Sequence, residues 1–217
     1  MKKMKIQSDL SRQEILQRIG AAGKKRPAIV NMQSLSSDEI YKTIQPDSLY
    51  CFKNELEAVN GRCILCDNES DLYEKIKIFA EQSNFQELFC RDTFFYSELK
   101  NHGIPVTNLE THFETMQAGV TGCEFLVART GSVLVSSNTP IQKQMNVFPP
   151  VHIVIAHASQ LVDYLEEALV AIQNKYADSL PAVISTITGP SRTADIEKTL
   201  VLGAHGPKEF IVFLSKV

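Results

Sequence analysis

From Pro46 onward, segments whose apolar residues recur at helical spacing alternate with short apolar runs. This rhythm constrains the fold more than any other feature of the chain. Leu49, Phe52, Leu56 and Val59 share one helical face, Asn60-Gly61 closes that helix, and a short strand follows over residues 62–66. Leu72, Ile76, Phe79 and Ala80 mark a second helix. The pattern then predicts a strand over 87–90, a helix over 94–101 and a strand over 104–107 after Gly103. Parallel strands must be joined by a crossover long enough to hold a helix. Alternation of this kind therefore specifies an α/β protein with a mainly parallel sheet flanked by helices.

The middle of the chain changes character. Apolar runs over 123–128 and 133–135 are separated only by Arg129-Thr130-Gly131-Ser132, a connection that reads as a hairpin. Two antiparallel strands make a mixed sheet the expectation. The stretch 136–150 carries Pro140, Pro149 and Pro150 and reads as a loop. A strand follows over 152–156, then a helix capped by Ser159 with Leu161, Leu165, Ala168, Leu169 and Ile172 on its apolar face, then strands over 183–187 and 210–214. Upstream, Ser11-Arg12-Gln13-Glu14 is a capping box with Ile15, Leu16 and Ile19 behind it, and the weakly patterned region after Gly23 holds a short helix over 38–44. The organisation expected is an N-terminal helical arm over residues 1–45 and an α/β domain over 46–217.

Composition excludes several classes of function. With 22 basic and 25 acidic side chains the net charge is -3, which leaves no basic footprint for nucleic acid and no polybasic tract for an anionic membrane. No apolar run approaches the ~20 residues of a membrane span, and no apolar signal core follows the basic N-terminus, so a cytoplasmic protein is expected. The five cysteines form no secreted disulfide framework. Cys63 and Cys66 are separated by an odd number of strand positions and should face opposite sides of the sheet as buried thiols; no metal site is expected. Nor is there a run of closely spaced cysteines to hold an iron–sulfur cluster. No cofactor is therefore assigned to this chain, and any electron transfer would rest on clusters in partner proteins.

Three groups of residues can carry chemistry. Thr188-Gly189-Pro190-Ser191-Arg192 follows a strand, where α/β sheets collect ligands. Gly189 permits close backbone approach, Ser191 is a candidate N-cap, and Arg192 can clamp a carboxylate or phosphate or pair with Asp195 or Glu197. His205-Gly206-Pro207-Lys208 supplies a titratable imidazole and an ammonium for an anion. The third group joins Thr121-Gly122-Cys123-Glu124 to Thr130-Gly131-Ser132 and Ser136-Ser137-Asn138-Thr139, where glycine between hydroxyl residues can expose backbone N–H groups. Glu124 opens an apolar strand: half-buried, it would have a raised pKa and could act as base or nucleophile; otherwise it points outward or pairs with Arg129. The candidate catalytic residues are His205 and Glu124. The candidate binding residues for a small anionic substrate are Thr130, Gly131, Ser132, Ser136, Thr188, Gly189, Ser191, Arg192 and Lys208.

Taken with their order and spacing, the motifs from Gly119 to Glu124, from Ala128 to Ser132, from Thr188 to Glu197 and from Gly203 to Glu209 resemble the lactate utilization protein C family, stand-alone members of the LUD-domain group. The resemblance covers nearly half of the chain. It implies a fold like that of the sugar-phosphate isomerase, glucosamine-phosphate deaminase and coenzyme A transferase group (NagB/RpiA/CoA transferase-like). It also implies a part in bacterial oxidation of L-lactate to pyruvate, as an accessory or substrate-handling component beside iron–sulfur partner proteins. Arg129 stands where relatives often carry an acidic residue. The same implied fold suits an alternative, an independent enzyme or binding protein for a phosphorylated or acyl-CoA metabolite, with Glu124 as acyl-accepting carboxylate.

Overall fold

The computed structural model describes residues 12–21, 44–136, 144–177, 179–193, 201–203 and 205–217. The chain divides into two compact units, 1–43 and 44–217. In the first, residues 12–21 form a helix, α1, with an i,i+4 pair between Glu14 and Arg18 at 2.8 Å. The short helix expected over 38–44 falls almost entirely outside the described residues.

The second unit is built on a six-stranded sheet in the order β1-β12-β7-β4-β2-β3, in which every described pairing is parallel. Its strands are β1 (Arg62–Cys66), β2 (Leu88–Cys90), β3 (Val106–Thr107), β4 (Ala118–Thr121), β7 (Val151–His157) and β12 (Glu209–Ser215). Helices α2 (Ser48–Ala58), α3 (Glu69–Gln82) and α4 (Thr93–Asn101) precede or connect these strands. Their N-caps are Asp47, Asn68 and Asp92, whose carboxylate or amide oxygens accept from the first free backbone N–H groups. Helix α5 (Leu165–Lys175) belongs to the second sheet's part of the chain.

That second sheet holds β5 (Phe125–Val127), β6 (Ser132–Ser136), β8 (Leu161–Val162) and β9 (Ile184–Ile187) in the order β8-β5-β6-β9. The hairpin expected from Arg129-Thr130-Gly131-Ser132 is present, with Phe125 opposite Leu134 and Val127 opposite Ser132. The mixed character of the α/β fold is thus divided between two sheets: the large one is parallel and the small one carries the antiparallel pairs.

Strand alternation sorts the core into two faces. Cys66, Leu88, Cys90, Val120, Ile153, Ile155, Ile211 and Phe213 pack with α3 and α4. Cys63, Val154, Ala156, Phe210, Val212 and Leu214 pack with α2, β5 and β6. Cys63 and Cys66 accordingly lie on opposite faces, as their spacing requires, and both are buried free thiols.

Two local expectations are corrected and one strand was not anticipated. Ser159 does not cap a helix: residues 158–160 make a 3-10 turn, β8 follows, and α5 begins only after Tyr164. Ser191 does not open a helical turn: Arg192–Thr193 is a short strand, β10, paired with β11 (Val201–Leu202). The four-residue β4, half glycine and threonine, was invisible to apolar periodicity yet lies at the centre of the sheet.

Candidate functional site

The order of the parallel strands fixes where a ligand can enter. From β2 the chain passes outward to β3, whereas from β4 it continues toward β7 on the other side. Adjacent strands whose connections diverge leave a crevice at their carboxyl ends, the general binding place of open parallel sheets. A cavity of about 490 Å³ lies there. Arg91 and Asp92 after β2, Thr121 and Glu124 at the end of β4, and Ser136, Lys175 and Tyr176 from the second sheet and α5 contribute to its wall.

Glu124 anchors one side. Its side chain is 11% exposed. Lys175 Nζ and the Tyr176 hydroxyl each donate to it at 2.7 Å, and the Ser136 hydroxyl also donates. Burial pushes the Glu124 carboxyl up, but the donors Lys175, Ser136 and Tyr176 and the Lys175 charge together outweigh it and hold the pKa below the usual carboxylate range. The expected raised pKa is therefore not found. Nor does Glu124 pair with Arg129, whose guanidinium instead faces Glu55 at 3.9 Å. Glu124 is an ionised hydrogen-bond acceptor that organises three donors at the cavity wall, and a weak proton acceptor near neutral pH.

The opposite side is built on the β2–β4 pair. Phe89 is opposite Gly119 and Cys90 opposite Val120, so Arg91 and Thr121 are the next positions along neighbouring strands. The Arg91 side chain is only 9% exposed; its guanidinium lies 4.7 Å from the Phe113 ring centre and 5.4 Å from that of Phe89, and one terminal nitrogen donates to Glu110 at 2.7 Å. Thr121 Oγ1 lies 2.8 Å from Nε2 of the fully buried His152 on β7. Arg91 Nε and His152 Nδ1 are buried with no hydrogen-bond partner among the described residues.

The candidate residues named from the sequence do not form one site. Glu124 and Ser136 share the cavity. Thr130, Gly131 and Ser132 lie at the turn end of the same hairpin, on the order of 10 Å along the strands. There the Ser132 hydroxyl is 2.7 Å from both the Thr130 and Thr188 hydroxyls, a closed cluster under the first C-terminal loop. Gly189 abuts α2: a Cβ on it would come within 2.8 Å of the Val59 carbonyl oxygen, and the Arg192 guanidinium donates to that same oxygen. The two C-terminal loops do meet, through Ser191 N–H to the Pro207 carbonyl at 2.8 Å. They meet at the wrong end of the sheet for the crevice, however. β12 starts at Glu209, level with Val151 at the start of β7, and the cavity lies past the other end of β7, a strand of seven residues or roughly 20 Å. His205 and Lys208 precede that start. None of Thr188, Gly189, Ser191, Arg192, His205 or Lys208 is among the described residues lining the cavity. The strand before Thr188 belongs to the second sheet, so the rule for carboxyl ends of parallel strands does not apply to it. Asp195 and Glu197, the suggested partners of Arg192, and residues 137–139 lie outside the described residues.

Sequence reasoning missed Arg91, Lys175 and Tyr176. Arg91-Asp92 carried a readable signal, charged residues directly after the apolar run 88–90. Lys175 and Tyr176 carried none, because they reach Glu124 across about fifty residues of chain. Among the described residues no group of three or more His, Cys, Asp or Glu side chains could hold a metal ion, and no helix is long and apolar enough to cross a membrane.

These features define an α/β protein with a ligand-sized crevice at the switch point of a parallel sheet. The LUD domain profile matches residues 49–215, and the chain belongs to the LUD domain family. It is 30% identical over 194 residues to a lactate utilization protein C of Macrococcus caseolyticus, covering 84% of this chain and 80% of that protein. It is 36% identical over 96 residues to a lactate utilization protein C of Bacillus licheniformis, where the match spans 43% of this chain but only 40% of the relative's length. The crystal structure of a DUF162 family protein from Deinococcus radiodurans superposes with a TM-score of 0.58 at 14% identity, covering 80% of this chain and 99% of that one, and has the same fold.

Proposed function

We propose that this protein serves lactate utilization by handling a small hydroxy- or oxo-carboxylate in the carboxyl-end crevice, for iron–sulfur partner proteins that take the electrons. The observation that carries this reading is the match over 84% of this chain and 80% of a relative named lactate utilization protein C. Oxidation of lactate to pyruvate releases two electrons and two protons. In this reading the partners accept the electrons, and the chain binds and orients the acid. The crevice has a size suited to a small metabolite and carries both cationic and hydroxyl groups.

The test is deletion of the gene in its source organism. Growth on L-lactate is expected to fail while growth on pyruvate persists, and anaerobic extracts are expected to lose lactate-dependent dye reduction until the purified chain is added back. Equal dye reduction without the chain rejects the proposal. So does thermal stabilisation of the chain by a coenzyme A ester or a sugar phosphate with none by lactate or pyruvate, the outcome expected of an independent enzyme for those metabolites.

A further inference from the structure

Two features of the crevice are unexplained by folding alone: the buried Arg91 Nε–H, without an acceptor among the described residues, and Thr121 beside it on the cavity wall, its hydroxyl against a buried imidazole. A buried donor left unpaired is costly and rare in native structures, and a ligand oxygen that accepts from it is one explanation for its retention.

The tautomer of His152 decides what Thr121 can do. If His152 carried its proton on Nδ1, that N–H would be a second buried donor with no acceptor. With the proton on Nε2, the ring donates to Thr121 Oγ1 at 2.8 Å and leaves Nδ1 as a bare lone pair. Burial drives the His152 pKa down to about 3, so the ring is neutral and has a single proton to place. Thr121 Oγ1 then accepts from His152, and its own proton is free to point into the cavity. Two donors without acceptors among the described residues, at neighbouring positions of adjacent strands, can serve the two oxygens of one carboxylate.

Charge selects within the anions. The wall carries Arg91 and Lys175 against Asp92 and Glu124, with Arg91 also paired to Glu110, Asp92 occupied at the N-cap of α4 and Glu124 held by its three donors. A singly charged carboxylate adds one negative charge to a balanced lining; a phosphate dianion adds two beside two fixed carboxylates.

We propose that Arg91 Nε–H and the Thr121 hydroxyl are the paired donors of a monocarboxylate site in this crevice, and that His152 is a positioning residue that turns the Thr121 proton into it. The choice of a small monocarboxylate rests on the functional reading above; the donor pair rests on the orphaned Arg91 Nε–H, the strand register and the Thr121–His152 contact.

The experiment is calorimetric titration of the full chain with acetate, L-lactate, pyruvate and inorganic phosphate, with thermal unfolding run on every variant to confirm folding. Arg91→Lys keeps the charge and loses Nε–H. Thr121→Val keeps the shape and loses the hydroxyl. Each is expected to weaken monocarboxylate binding about 10-fold or more, and Thr121→Ser is expected to retain it. In nitrogen-15 spectra the Arg91 Nε–H signal should move on titration, and His152 should be protonated on Nε2. The assignment is overturned if no monocarboxylate binds, if folded Arg91→Lys and Thr121→Val bind as the parent does, or if phosphate binds more tightly through the same residues. Protonation on Nδ1 overturns the role of His152. If acetate, lactate and pyruvate bind alike through Arg91 while the deletion strain still grows on lactate, the site stands and the proposed function fails.

Discussion

Lys175 Nζ lies 2.7 Å from Glu124 Oε2, joining the last turn of α5 to the residue just before β5 at the wall of the cavity. The two partners are not equivalent: the Glu124 side chain is 11% exposed and that of Lys175 is 55% exposed. Removing Lys175 leaves Glu124 with the Ser136 and Tyr176 hydroxyls and costs a screened surface pair, so Lys175→Met is expected to destabilise by less than about 1 kcal/mol. Glu124→Gln weakens charge-assisted hydrogen bonds at a largely buried position and is expected to cost about 1–3 kcal/mol. Urea unfolding of both variants checks the order. Because the Glu124 pKa is depressed in the fold, its contribution is present above the ordinary carboxyl range and is lost as pH falls through its folded pKa. Lys175→Met should move the Glu124 titration, followed by carbon-13 NMR of the carboxyl, upward.

The layout of this fold was readable in sequence wherever one local pattern decided the outcome. Helical spacing placed α2 and α3, the Thr-Gly-Ser turn placed the β5–β6 hairpin, and odd spacing put Cys63 and Cys66 on opposite faces. The site was legible only in part, since a crevice is a property of strand order. Glu124 and Ser136 stood out as polar residues bordering apolar strands, but nothing local says that β4 enters between β7 and β2. Without that order, the crowded loops at Thr188–Arg192 and His205–Lys208 looked like the natural partners of Glu124. The parallel direction of β12 puts His205 and Lys208 at the other end of the sheet.

Gly131 is expected to tolerate no side chain. Its φ is 58°, a left-handed conformation, and a Cβ there would meet Leu56 N at 2.2 Å and the Glu55 carbonyl carbon at 2.6 Å, both backbone atoms of α2. The conformation alone costs an L-residue about 1–2 kcal/mol. The contact cannot be relieved by a side-chain rotation, so the hairpin must part from the helix. Gly131→Ala should lower the unfolding midpoint by several degrees or abolish soluble expression, as thermal unfolding would report. An unchanged midpoint would contradict the packing of this turn on α2.

The thiols should be inert in the native protein. Burial pushes Cys63, Cys90 and Cys123 up to about 12 and Cys66 up to about 11, and the thiolate is the reactive form. Cys123 also borders the cavity beside Glu124, whose charge adds to the upward shift while Lys175 opposes it. Colorimetric titration with a disulfide reagent near neutral pH should label these four slowly in the folded state and all five cysteines rapidly in denaturant. Rapid native labelling of Cys123, located by peptide mass mapping, would show that the cavity favours the thiolate against this expectation.

Acid should weaken the fold through His152. Its pKa falls from about 6.5 in an unfolded chain to about 3 in the fold, solely because the ring is buried. Between those values the unfolded chain binds one more proton than the native state, so native stability falls as pH is lowered through that window. The loss approaches ~1.4 kcal/mol per pH unit, or about 1.7 kcal/mol between about pH 6.5 and pH 5, where most carboxylates are still ionised. His152→Gln cannot take up this proton and keeps an amide donor for Thr121. It is expected to be less stable than the parent near pH 7, because Gln does not refill the space beside Phe210, where the two rings now meet edge-on at 5.2 Å. Its stability should nevertheless change less between about pH 6.5 and pH 5. Urea unfolding of both proteins across that range gives the comparison, and parallel pH profiles for parent and variant would mean that His152 already binds its proton in the native state.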